Sequence, residues 1–121
     1  MTQSMTDYET GEVILIPFPF TDLSTVKQRP AIILSSSRFN RERNDVIIAA
    51  ITSHMVEAGS WDEYRLTPKE QRAAGLPKPS TVKLGKIVTL DRTLIKRRLG
   101  HLSLISMRRI FRVLAVVLNE Q

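Results

Sequence analysis

The sequence contains no cysteine. That absence removes thiol nucleophiles, disulfide cross-links and thiolate metal sites together, and it suits a reducing compartment. Histidine is almost missing too: His54 and His101 stand far apart with no paired ligand spacing around either, so no metal centre and no cofactor are expected. The five glycines form no phosphate-cradling loop, and no Gly-x-Ser-x-Gly elbow is present. No apolar run approaches the ~20 residues that a membrane span requires. The first ten residues are polar and acidic, without the apolar segment of a secretion signal. A soluble, cytoplasmic protein is therefore expected, with no membrane partner.

What is present is a chain of 121 residues, 42% hydrophobic and 25% charged. That is the size of one domain, here residues 1–121 with a flexible tail over 1–9. A domain of this size buries roughly two-thirds of its unfolded surface, enough for a core without cross-links.

The apolar residues come in short, strand-length runs. Gly11 to Pro17 is a β-rich run that Pro17 and Pro19 end, and Phe18 to Gln28 follows as an exposed loop. Arg29 to Ser35 is a second strand with Pro30 at its start, and Ser36 to Asn44 a short helical turn. Asp45 to Thr52 is unbroken enough to be buried on both faces. Trp61 to Leu66 alternates weakly as a fourth strand. Thr67-Pro68-Lys69-Glu70 spells a capping box with proline at the first helical position, so a short helix should run to Ala74 and stop at Gly75. Thr81 to Leu90 is β-rich, with Gly85 as a bulge or kink. After a turn over Asp91 to Arg97 and a short strand at Leu99 to Leu102, Ser103 caps a last helix. Its apolar stripe is Met107, Ile110, Phe111, Leu114, Val117 and Leu118. The pattern is mainly β with a C-terminal helix, a small barrel-like domain.

The formal net charge is +6, and it is unevenly spread. Residues 83–112 carry nine lysines and arginines against Asp91 alone. Such a segment attracts polyanions, nucleic acid or an acidic protein tail, although a basic surface also serves solubility. With neither thiol nor metal ligands, acid–base and electrostatic chemistry remains.

A series of motifs is more specific. Gly11-Glu12-Val13-Ile14-Leu15-Ile16-Pro17-Phe18-Pro19-Phe20-Thr21-Asp22-Leu23, followed by Lys27-Gln28-Arg29-Pro30-Ala31-Ile32-Ile33-Leu34-Ser35, resembles the opening of the MazF/PemK (Kid) toxin family. Ile51-Thr52-Ser53 is similar to the family's strand-end hydroxyl pair. Leu76 to Leu84, Lys86 to Asp91 and Leu99 to Ser103 resemble its PemK-like branch. The resemblance spans residues 10–118. It implies an SH3-like barrel of the MazF/Kid/CcdB kind, a homodimer, and a metal-independent, sequence-specific endoribonuclease acting on single-stranded RNA. It also implies an antitoxin partner with an acidic tail, with operator DNA reached only through that antitoxin.

On this resemblance Arg29 is the catalytic phosphate stabiliser, its guanidinium able to grip phosphate in a forked geometry. Thr52 is the hydroxyl that bonds a phosphate oxygen. RNA contacts are expected from Phe18, Phe20, Lys27, Ser53, Lys83, Lys86, Arg97 and Arg98. Phe18 and Phe20 could stack on unpaired bases or pack against the barrel, whereas Trp61 is expected to pack. The Kid branch has an Arg-x-Asp where this chain has Lys83-Leu84-Gly85. Lys83 keeps the charge without the fork, Gly85 brings no carboxylate, and the base stays open. The alternatives are a nucleic-acid-binding barrel with weak or no catalysis, or a toxin relative with another target such as gyrase.

Overall fold

The computed structural model describes residues 7–18, 27–54 and 59–119. The β-rich runs become strands β1 (Glu12–Phe18), β2 (Lys27–Ile33), β3 (Asp45–Thr52), β4 (Glu63–Arg65), β5 (Thr81–Asp91) and β6 (Arg97–His101). Helices α1 (Ser37–Arg43), α2 (Pro68–Ala73) and α3 (Leu104–Leu118) lie between and after them. The strands make one sheet in the order β4-β5-β3-β2-β1-β6, and every pairing is antiparallel. The mainly β class with a C-terminal helix is as expected. Among the described residues the two outer strands are not paired to each other, so no hydrogen-bonded ladder closes the barrel.

Alternation along the strands sends successive side chains to opposite faces. On one face Val13, Ile32, Ala49, Ile51, Val82 and Leu84 pack with Met107 and Ile110 of α3. On the other, Ile14, Ile16, Ala31, Ile33, Val46 and Ile48 form a second apolar cluster. Strand β3 supplies both, which explains its unbroken aliphatic run. Met107 and Ile110 are almost fully buried, each worth ~1.5–3 kcal/mol. Farther along the expected stripe, Leu118 stays 70% exposed.

Three boundaries differ from expectation for physical reasons. Strand β1 continues through Pro17, which stands opposite Gln28, so Lys27 and Gln28 belong to β2 and not to a loop. Pro30 lies inside β2 and not at its start. The β2–β3 register begins only at Ala31, so the proline, which has no N–H to donate, stands where only β1 is paired. The tail expected over 1–9 is already anchored at Tyr8, a buried residue. Its carbonyl accepts from Asn40 Nδ2 at 2.8 Å, and Asn40 itself is fully buried and accepts from the Ser35 hydroxyl.

Helix α2 begins in the expected capping box: Thr67 Oγ1 accepts from Glu70 N–H and Glu70 Oε1 from Thr67 N–H. It is followed by Gly75 at φ +71°, where a Cβ would collide with the Leu99 carbonyl. Across from it, a Cβ on Gly100 would strike Ala73 and Ala74 backbone atoms. The end of α2 therefore lies backbone to backbone on β6, and only glycine fits either position.

In β5 the register with β3 jumps. Ile87 faces Ala49 and Lys83 faces Ala50, which leaves Leu84, Gly85 and Lys86 without β3 partners. Gly85 sits in the bulge, as expected. The bulge brings Lys83 and Lys86 to a cleft at the start of β2 and the end of β3.

Candidate active site

At the start of β2 and the end of β3 the second apolar face of the sheet gives way to polar residues. Arg29 falls on the same side as Ala31 and Ile33, two and four residues on, and Thr52 on the side of Ile48 and Ala50. There the sheet opens into a cleft of about 250 Å³ lined by Arg29, Ala50, Ile51, Thr52, His54, Lys83 and Lys86. An adjoining cavity of about 260 Å³ shares Arg29 and brings Gln28, Ser53, Lys78 and Ser80. Thr52 thus lines one cavity and Ser53 the other, and Arg29 lines both.

The cleft is strongly cationic. Lys83 is held across the sheet by Glu63, its register partner on β4, in a largely shielded ion pair. Arg29 and Lys86 make no ion pair among the described residues. Thr52 Oγ1 accepts the backbone N–H of His54 at 3.0 Å, which caps the turn and leaves the hydroxyl hydrogen free to donate. Arrayed donors on a solvent-open surface can bind a phosphate and stabilise extra negative charge on it.

The absent carboxylate has a neighbour. A Cβ built on Gly85 would lie 3.6 Å from Asp62 Oδ2, so the direction in which an aspartate at 85 would project meets an acid from the chain before β4. The other oxygen of Asp62 accepts from the Ser60 hydroxyl.

The expected RNA contacts are not all brought together. Lys27 is exposed at the end of β2 opposite Phe18 and does not line the cleft. The side chain of Phe18 and the whole of Phe20 lie outside the described residues. Arg97 and Arg98 are on β6, an outer strand, and neither lines the cleft. Arg98 instead pairs with Glu12 at 2.7 Å and covers the Tyr8 ring at 4.2 Å. The basic run over residues 83–112 is accordingly divided between the cleft, β6 and α3. Trp61, expected to pack, is 68% exposed.

Two lining residues were not among the expected contacts. Lys78, in the adjoining cavity, stands in a proline-rich segment. His54 gave one usable signal, its place two residues after a strand-terminal threonine.

A second cluster is structural. Burial opposes the charge on Glu70, but hydrogen bonds from Ser106, Thr67 and Tyr64 outweigh it and hold the carboxyl below its ordinary range. Burial and the adjacent Glu70 raise the Tyr64 phenol. Among the described residues no helix is long and apolar enough to cross a membrane.

The sequence of residues 9–118 matches the family model of PemK-like, MazF-like toxins of type II toxin–antitoxin systems. None of the curated proteins matches it. Among solved structures, an endoribonuclease from a mycobacterial species superposes with a TM-score of 0.73 at 22% identity, over 96% of this chain and 95% of that one. A mycobacterial endoribonuclease in complex with its cognate antitoxin gives 0.71 at 22% identity, over 92% and 94%. A MazE–MazF structure from Deinococcus radiodurans gives 0.73 at 18% identity, over 93% and 96%. At these identities the likeness is one of fold.

Proposed function

The chain belongs to the PemK-like, MazF-like toxins of type II toxin–antitoxin systems, and from that premise we propose that it is a metal-independent, sequence-specific endoribonuclease of single-stranded RNA. The observation that carries this reading is the convergence of Arg29, Thr52 and Lys86 on one solvent-open cleft. RNA brings its own nucleophile, the 2′-OH beside each phosphate. The enzyme then has to grip the phosphate, offset the charge that builds on the pentacoordinate intermediate, and manage two protons. Arg29 and Lys86 supply the positive charge, and the Thr52 hydroxyl donates to a phosphate oxygen. The products are a 2′,3′-cyclic phosphate and a 5′-OH.

The complexes formed by solved relatives support an antitoxin partner for this chain as well. Its acidic tail would occupy the same cationic cleft and exclude RNA. A homodimer would join two such clefts into a longer phosphate track. Operator DNA would be reached through the antitoxin.

The test is incubation of the purified protein with single-stranded RNA in EDTA, followed by mapping of the ends. Cleavage leaving cyclic phosphate and 5′-OH ends is the expected result, with Arg29→Ala slower by roughly ten- to a thousandfold and still folded. Activity only after addition of a divalent ion, or 3′-OH products, would overturn the reading.

A further inference from the structure

We propose that His54 is the general base of the cleavage reaction, an inference that rests on the nuclease reading above and names the group that takes the first proton. The cleft lining is the argument. The Arg29 guanidinium and the ammonium groups of Lys83 and Lys86 are hydrogen-bond donors without an acceptor atom, and Ala50 and Ile51 are apolar. The oxygen of Thr52 already accepts the His54 N–H, and a hydroxyl is a poor base. Among the described residues, His54 is the only cleft-lining side chain of a type that commonly serves as a general base.

Among the described residues, the two carboxylates beside the cleft, Glu63 and Asp62, have other partners. Glu63 is held by Lys83. Asp62 borders Gly85, accepts from Ser60, and does not line the cleft. The bond from Thr52 to the His54 backbone fixes where the imidazole leaves the strand, within the same cavity as the phosphate-gripping Arg29. The groups facing it are Arg29 from β2 and Lys83 and Lys86 from β5, with Glu63 of β4 behind Lys83.

In the step, a ring nitrogen of neutral His54 takes the 2′-OH proton as the O2′–P bond forms. The P–O5′ bond breaks, and the ammonium of Lys86 protonates the departing 5′-oxygen. The imidazolium and the neutral amine then re-equilibrate with water, so the enzyme is returned unchanged and no external reactant is consumed.

The test measures kcat/KM on a single-stranded RNA oligonucleotide from acidic to alkaline pH, with wild type, His54→Gln, His54→Ala and Asp62→Asn. Circular dichroism confirms each fold; His54 is exposed, and two replacements guard against an idiosyncratic one. The wild-type profile should rise with unit slope on its acid side. His54→Gln should lose roughly 10²–10⁴-fold, the scale of general acid–base catalysis, and lose that slope. Added imidazole should restore part of the activity of His54→Ala, and Asp62→Asn should stay within a few-fold of wild type. A folded His54→Gln with the wild-type profile overturns the proposal and leaves the nuclease reading intact. Loss of the acid limb in Asp62→Asn overturns it in favour of Asp62. Absence of cleavage by the wild type overturns the nuclease reading and the proposal with it.

Discussion

Thr52 Oγ1 accepts the backbone N–H of His54 at 3.0 Å, so one hydroxyl both ends β3 and holds the backbone of His54 beside the cleft. Its acceptor side serves the fold, and its donor side is the one that the proposed reaction uses. Thr52→Ser keeps both and should cleave RNA within a few-fold of wild type. Thr52→Val, nearly the same shape, loses both. It should slow cleavage by roughly ten- to a hundredfold while unfolding in urea with a loss of only about 1 kcal/mol. Equal cleavage by the valine variant would remove Thr52 from the chemistry.

The carboxylate of Glu70 ties β4, α2 and α3 together. It accepts from Tyr64 Oη at 2.9 Å and from Thr67 N–H at 2.9 Å, and also from the Ser106 hydroxyl. Its folded pKa is lowered, so the stability it contributes is fully present above the ordinary carboxylate value of about 4.3 and is lost as pH falls through the folded value. Glu70→Gln should cost roughly 1.5–3 kcal/mol at neutral pH, the worth of hydrogen bonds to a charged group. Urea unfolding of both proteins should show that difference shrinking on acidification below about pH 4.3. A difference independent of pH would mean that the charge of Glu70 is irrelevant.

Arg98 is anchored to Glu12 and Tyr8, contacts worth about 1 kcal/mol together. Arg98→Ala should lower Tm by roughly 3–6 °C and leave RNA affinity within about twofold, whereas Lys86→Ala should weaken RNA binding and flatten its dependence on salt. Loss of RNA affinity in a fully stable Arg98→Ala would place β6 in the RNA interface.

Much of the fold was legible because its signals are local. Aliphatic runs announce β3 and the other central strands, and Thr67-Pro68-Lys69-Glu70 encodes α2 in four adjacent residues. The ion pair of Arg98 was not legible for the opposite reason: its partner Glu12 lies 86 positions away, and nothing near Arg98 in sequence indicates that its charge is engaged. Pro30 was displaced from its expected place because the end of a strand's pairing depends on a neighbour strand that local pattern does not describe. The cleft shows the same limit. Arg29, Thr52 and Lys83 were legible one by one through the resemblance, but their convergence depends on the β2–β3 and β3–β5 registers. His54 emerged only once those registers were known.

The covering of one sheet face by α3 sets an order of events during synthesis. A nascent chain elongated to Ser103 already contains every residue of the cleft, yet lacks Met107 and Ile110, the buried side chains that α3 packs against Val13, Ile32, Ala49 and Ile51. Until the ribosome has extruded that helix, this aliphatic face of the sheet lacks its cover, and the core on that side of the strands carrying Arg29, Thr52 and Lys83 is unfinished. The cleft-bearing strands thus gain their complete packing only after translation has passed the helix that covers them.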